Sequence, residues 1–348
     1  MQTIPKDLYY VDEHIVNVTD FTPQTTFAEY ADYWITYNKQ RLAVKTYSRY
    51  LALLVRINAG IGHIALGNLK SAHIEEFCHR LTLNGTNLRT GKSLSSKTIL
   101  HHYRLISVIL QSAVKKEIIP YNPCDRQHCS SPKVEKKEIA CLQLDDVRFV
   151  CANVKKLSCK LALIVLLGLF TGIRRGEIAG LQWQDIDIDR MAILVNRAVS
   201  YTAEAGLVIK PPKTPTSNRV VFFYENILKN ALKEYKRWYI LHFGSISPEY
   251  FLFPNAFSFN RPVYPDTISD WAEQASKIIG VQFTMHKLRH TYVSLQIANN
   301  TPLKEIAYNV GHSKLTTTCD TYAHLIRLHN KPSISSLENL LNDEKVSS

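Results

Sequence analysis

Several features that would assign this chain to a broad class are missing. The 348 residues contain no apolar run long enough to span a membrane. The longest, Leu161–Phe170, is about half of the roughly twenty residues a span needs, so it reads as a buried helix. Residues 1–20 are polar and mixed in charge, with no apolar core of a secretory signal. The seven cysteines include no C-x-x-C pair, and an odd, unpatterned set suits a reducing cytosol better than a disulfide framework. Cys124, His128 and Cys129 lie close together, but no second ligand pair follows at zinc spacing. The Gly60–Gly67 segment lacks G-x-G-x-x-G spacing and follows no strand, which removes nucleotide binding. There is no internal repeat and no low-complexity tract.

Acidic residues are also in deficit. Lys and Arg number 42 against 30 Asp and Glu, for a formal net charge of +12. A balance of that sign favours a polyanionic partner, nucleic acid before membrane. The length favours two domains, and 45% hydrophobic residues suffice for two cores.

Hydrophobic periodicity predicts helices over Phe27–Tyr37, Lys45–Ala59, Ser71–Leu83 and Ser95–Glu117. The last begins with serine caps and ends in I-I-P-Y-N-P, where two prolines stop it. The polar, lysine-rich segment Ser130–Glu138 fits an extended linker. In the second half a helix at Leu161–Phe170 is broken by Thr171-Gly172 and resumes at Arg175–Leu181. Ile186–Ile188, Ala192–Val199, Leu207–Ile209 and Arg219–Phe223 read as strands of one antiparallel sheet. Helices then dominate, near 225–243, 265–279, 286–299, 302–309 and 314–324. The fold class is mainly α with a small antiparallel β-sheet (α+β).

Several polar residues have two readings. Arg174 stands where a helix restarts, a place where a side chain and free amides meet an anion. Alternatively it is a surface arginine paired with Glu177 three positions on. His286 and Arg289 share one helix face at i, i+3, a pattern that a charged face also produces by chance. His312 follows Val310-Gly311, a helix end, and is presented from a loop. Lys213 sits in a proline-rich hairpin tip and is either a solubilising turn residue or a movable proton donor. Tyr322 has a phenol that is almost wholly protonated at neutral pH, with an ordinary pKa of about 10. Asp185, Asp187 and Asp189 alternate, but a calcium loop from Asp185 would need Gly and Glu where Arg190 and Asn196 stand.

Taken together, these motifs resemble the tyrosine recombinases of the phage-integrase family. They run in order: T-G-x-R-x-x-E at 171–177, L-x-W-x-D-I-D at 181–187, K-T-x-x-S-x-R at 213–219, H-x-L-R-H-T at 286–291, G-H at 311–312 and a tyrosine ten residues later. Val310 replaces the usual leucine before G-H. The resemblance covers 143–330 strongly and 25–125 more weakly.

It implies a helical, SAM-like core-binding domain at 25–126, a linker at 127–142 and a catalytic domain at 143–330, the two domains forming a C-shaped clamp on DNA. Residues 1–24 are then an extension too short for the family's extra arm-binding domain, and 331–348 a tail exchanged between protomers or packed on its own domain. The tail is amphipathic, with apolar residues at 334, 337, 340 and 341.

The implied reaction is cleavage and rejoining of DNA through a 3′-phosphotyrosyl bond, for integration or excision of a mobile element. Tyr322 is the nucleophile. Arg174, Arg289 and His312 hold the scissile phosphate, Lys213 is the acid for the leaving oxygen, His286 the proton acceptor for Tyr322, and Glu177 a supporting residue. No metal and no cofactor is implied, because the phosphotyrosyl link conserves the bond energy. The implied partners are double-stranded DNA, further copies to a tetramer and a small directionality factor, with no membrane; the implied setting is the bacterial cytoplasm, at the nucleoid. A topoisomerase IB-like relaxase and an inactive DNA-binding protein of the same fold are the alternatives.

Overall fold

A computed structural model describes residues 21–84, 86–87, 90–127, 129–134, 140–202, 205–210, 218–256, 258–312 and 314–329. Lys213 and the tail at 331–348 lie outside them. The chain divides into two units, Met1–Lys137 and Glu138–Ser348.

The described part of the first unit has four α-helices: α1 (Phe27–Tyr37), α2 (Val44–Ile61), α3 (Ser71–Arg80) and α4 (Ser96–Lys115). Helix α1 starts in a capping box. Thr26 Oγ1 accepts from the Glu29 amide at 3.3 Å, and Glu29 Oε2 accepts from the Thr26 amide at 2.9 Å. Its Phe27, Tyr30, Ala31, Trp34 and Ile35 fall at helical spacing and are buried. Helix α4 starts at Ser95, which caps the Thr98 amide, and buries Ile99, Tyr103, Ile106 and Leu110 along one face. The prolines after it turn the chain back. The Asn122 amide then donates to Ser107 O and Gln111 Oε1, each at 3.1 Å, and fastens the exit segment to α4.

The second unit is built around α6 (Cys159–Thr171), where nearly every residue from Leu161 to Leu169 is buried. A helix apolar on all sides belongs in the middle of a core. It packs against α8 (Asn226–Phe243), α9 (Pro265–Ile279) and α10 (Met285–Ala298). Three more helices matter for the site: α7 (Arg175–Ala179), α11 (Leu303–Val310) and α12 (Leu315–His329). Helix α5 (Leu144–Asn153) was not expected; only Val147 and Val150 are buried on it, too few for a clear period.

The strands do not form one sheet. Strands β1 (Ile186–Asp187), β2 (Ala192–Val195) and β5 (Arg219–Phe222) make an antiparallel sheet in the order β1-β2-β5. Strands β3 (Ala198–Thr202) and β4 (Gly206–Lys210) form a separate antiparallel pair, as do β6 (Pro254–Asn255) and β7 (Ser258–Pro262). The expected strand Ala192–Val199 is therefore two strands in two sheets. Arg197 is anchored at the break: its guanidinium donates to Asp185 at 2.5 Å and to Gly180 O at 3.2 Å. Asn196 and Arg197 lie between β2 and β3, and Arg197 takes the position between the inward-facing Val195 and Val199. Asp187 Oδ1 accepts from the Arg190 amide at 2.8 Å and serves a corner.

Candidate active site

Two helix ends organise the polar residues. Helix α6 stops at Gly172, which adopts the left-handed conformation with φ at 60°. The chain then enters α7 with Arg174 as its N-cap residue. Helix α11 stops at Gly311, with φ at 66°, and presents His312.

Three arginines bind the open carbonyls of these ends. At the C-terminus of α11, Asn309 O accepts from Arg219 Nε at 2.8 Å, Val310 O from Arg289 Nη2 at 2.7 Å and Gly311 O from Arg174 Nη2 at 2.8 Å. Arg289 Nη1 also reaches Gly172 O, behind α6, at 2.5 Å. The last carbonyls of a helix lack intrahelical partners and carry its negative dipole end, so a cation is favoured there. This explains how Arg289 and Arg219, only 5% and 1% exposed, are accommodated.

Glu177 ties the cluster together. Its carboxylate accepts from Arg219 Nη2 at 2.8 Å and Nη1 at 3.1 Å, and from Arg174 Nη1 at 3.0 Å. Burial alone would raise the Glu177 pKa. The hydrogen bonds and charge of Arg219, and then the charge of Arg174, more than offset that, and the pKa is lowered. The group is a carboxylate at neutral pH. Two guanidiniums thus pair with one carboxylate and Arg289 adds a third positive charge to the cluster, which keeps an excess of positive charge. Burial, followed by the Arg174 charge, also lowers the Arg289 pKa, as expected for a cation crowded by another. An incoming anion would relieve that crowding. The Arg174 side chain is 40% exposed and is the most accessible member of its ion pair with Glu177.

Two histidines hold α12. His312 Nδ1 and Thr318 Oγ1 are 2.7 Å apart, and the Thr318 side chain is buried in the first turns of α12. With the threonine hydroxyl donating, the His312 Nε2 carries the proton and can donate to an anion. Burial, then Arg289 and Arg174, push the His312 pKa down to about 4, so the ring is neutral. One turn after Thr318, Tyr322 is 1% exposed, and its hydroxyl is hydrogen-bonded to His290 Nδ1. Its ring packs in a cluster with Tyr292, Val293, Ile297, Ile306 and Val310. Burial raises the phenol pKa well above its ordinary value. The backbone at Tyr322 is not helical, with φ −115° and ψ 19°, so α12 kinks at this residue.

The structure brings Arg174, Glu177, Arg289, His312 and Tyr322 into one neighbourhood. It does not put His286 on the Tyr322 hydroxyl, as was expected. His286 lies one turn before His290, with ring centroids 5.1 Å apart and edge-on. Desolvation, then the charges of Arg289, Arg175 and Arg174, lower its pKa. Two residues had no assigned role in the sequence reading: Arg219, the last position of K-T-x-x-S-x-R, and His290, next to Arg289 in H-x-L-R-H-T. The only available signal for either was its place inside a motif.

The model of the phage integrase family matches residues 141–329, and that of the phage integrase SAM-like domain matches 26–129. The chain belongs to the phage integrase family. It is a tyrosine recombinase, an enzyme of site-specific DNA recombination. The recombinase is 25% identical over 281 residues to the ICEBs1 integrase of Bacillus subtilis (strain 168), covering 80% of this chain and 75% of that one. It is 22% identical over 298 residues to the transposase from transposon Tn916 of Enterococcus faecalis, covering 82% and 70%. In fold it is similar to the Tn1549 transposon integrase solved in complex with a circular intermediate DNA, with a TM-score of 0.71, 19% identity and coverage of 92% and 99%. It is also similar to the lambda integrase solved as a tetramer bound to a Holliday junction, with a TM-score of 0.60, 18% identity and coverage of 87% and 79%. Among the described residues of the recombinase, no helix is long and apolar enough to cross a membrane.

Proposed function

We propose that the recombinase cleaves and rejoins DNA with Tyr322 as its nucleophile, leaving a 3′-phosphotyrosyl intermediate. The observation that carries this reading is a buried tyrosine in one neighbourhood with three guanidiniums, two of them paired with one buried carboxylate. A guanidinium has five N–H donors. Arg174 and Arg289 each use two in the hydrogen bonds described above, so each has donors left for a non-bridging phosphate oxygen. Fixed positive charge is most effective where the phosphorane charge grows in the transition state. His312 Nε2 adds a further donor. Glu177 keeps Arg174 in place and Arg219 keeps Glu177 in place. His286, exposed one turn before His290 and within the electrostatic reach of Arg289, Arg175 and Arg174, belongs to the phosphate side. Lys213 protonates the departing 5′ oxygen, which would otherwise leave as a strongly basic alkoxide.

The biological reaction is integration or excision of a mobile element, as the integrase and transposase names of the relatives support. The working assembly is a tetramer on paired DNA sites in the bacterial cytoplasm, with the 331–348 tail docking on a neighbouring protomer and, for one direction, a small accessory factor. The lambda integrase tetramer, of similar fold, supports this assembly. Incubation with nicked suicide duplexes tests the chemistry. A covalent protein–DNA adduct is expected from the wild-type chain and none from Tyr322→Phe. An adduct that persists in Tyr322→Phe, or its absence from the wild type on every duplex that the protein binds specifically, overturns the reading. Deletion of residues 333–348 tests the tail: unchanged assembly and strand exchange would remove its docking role.

A further inference from the structure

We propose that His290, and not His286, accepts the proton of the Tyr322 hydroxyl during DNA cleavage. The inference rests on Tyr322 being the nucleophile. Its basis is contact: among the described residues, His290 Nδ1 is the hydrogen-bond partner of that hydroxyl. Tyr322 is 1% exposed, so bulk water is not placed to take the proton in this arrangement. A base must lie within hydrogen-bond reach of the proton that it removes, and His290 meets that condition before any substrate arrives.

The surroundings of His290 come from four segments. On α10 itself stand His286, edge-on, and Arg289. From α12 comes Tyr322, and from the turn after α11 comes His312. Before α5, Cys141 meets Ser294 Oγ at 2.9 Å, and that hydroxyl donates to His290 O at 3.0 Å, which fixes the backbone beneath the imidazole. Burial, then His286 and Arg289, lower the His290 pKa to about 4. The ring is therefore neutral at physiological pH, which is the form that can accept a proton. It is also a weak base while the site is empty, so the phenol keeps its proton. A phosphodiester bound by the arginines brings negative charge beside the imidazole and strengthens it as a base. Proton transfer is thereby tied to the arrival of the substrate.

The step balances as follows. The Tyr322 O–H bond breaks and the proton passes to His290 Nδ1. The phenol oxygen forms its bond to phosphorus as the bond from phosphorus to the 5′ oxygen breaks. The 5′ oxygen receives a proton from Lys213. His290 ends as an imidazolium and Lys213 as a neutral amine. Rejoining runs the same transfers backwards and returns the proton to Tyr322.

The test uses the full chain and a duplex recovered from a randomised library by covalent trapping on the wild-type protein. That duplex is remade with a sulfur in place of the bridging 5′ oxygen, so that the leaving group needs no acid. Single-turnover adduct formation is then measured from about pH 5 to 9, a window on either side of an ordinary histidine. The comparison is between wild type, His290→Asn and His286→Asn. Asparagine keeps a hydrogen-bonding group near the position of Nδ1 but does not titrate. The expected result is that His290→Asn binds the duplex as wild type does but reacts about 10²-fold or more slowly at neutral pH. It should also lose the acidic limb, in which the rate falls as pH drops and the acceptor becomes protonated. His286→Asn should keep that limb whatever its rate. A His290→Asn enzyme that retains the wild-type limb, or a limb lost only in His286→Asn, overturns the inference. If His290→Asn fails to bind the duplex, His290→Gln is judged by the same criteria. Failure of the wild type to trap any duplex would instead overturn the nucleophile assignment itself.

Discussion

Helix α6 ends at Gly172 with φ at 60°, and helix α11 ends at Gly311 with φ at 66°. Both glycines take the left-handed turn, and a carbonyl at each end accepts from Arg289. What surrounds them differs. A Cβ at Gly172 would lie 2.5 Å from Tyr292 Cδ1, an atom of the aromatic packing. A Cβ at Gly311 would lie 2.8 Å from Arg219 Nη1 and 3.1 Å from Arg174 Nη1. Those guanidiniums are clamped by Glu177 and by carbonyls of α11, so they have little room to give. The same backbone device therefore protects apolar packing at one end and a charge arrangement at the other. Loss of the first should appear as lost stability, and loss of the second mainly as lost chemistry.

The strongest way to break this contrast is Arg219→Leu, which removes the bidentate partner of a buried carboxylate. Breaking a buried ion pair from one side costs about 3–5 kcal/mol. Urea unfolding of the second unit should show a fall of that order, and a change below about 1 kcal/mol would mean that Glu177 finds water instead. Next is Gly172→Ala. A left-handed non-glycine residue costs about 1–2 kcal/mol, and overpacking against Tyr292 adds about 1–3 kcal/mol. Gly311→Ala should cost only about the first of these in stability, yet slow adduct formation on suicide DNA by about tenfold or more, the rate equivalent of roughly 1.4 kcal/mol. Equal effects of the two glycine variants on both readouts would erase the distinction.

Acid should sharpen it. The folded pKa of His290 and His312, about 4, lies below the ordinary histidine value. Their neutral forms therefore contribute stability that is fully present above an unfolded pKa of about 6.5 and is lost as pH falls toward 4. Glu177, also lowered, contributes stability above its unfolded pKa of about 4.3 and loses it only at lower pH. Melting temperature should thus begin to fall near pH 6.5, and His312→Asn should flatten part of that first slope. The smallest expected effect is Thr26→Ala, which removes the cap of α1 in the first unit. It should cost about 1 kcal/mol and leave adduct formation on bound DNA unchanged.

Much of this was legible in the chain. The helix Phe27–Tyr37 was placed by its apolar spacing, because one face of it is buried and the other is not. Arg174, Glu177, Arg289, His312 and Tyr322 could be named because each sits in a motif of fixed spacing. His290 could not be separated from His286. Both are histidines on one helix, a turn apart, and which one meets Tyr322 depends on how α12 packs on α10. Arg219 looked like the start of a strand, and only the folded chain brings it to Glu177, 42 positions away. The split of the expected sheet was hidden for a similar reason: the Arg197–Asp185 pair beside it spans 12 positions.

The arginines bound to the end of α11 have a thermodynamic consequence. Fixing a long, flexible side chain on binding costs about 0.5–1.5 kcal/mol. In this recombinase that ordering accompanies folding, because helix carbonyls already hold the guanidiniums in the absence of DNA. Capture of a phosphate should then carry a small entropic penalty at the site itself. Discrimination between DNA sequences is left to surfaces elsewhere on the chain.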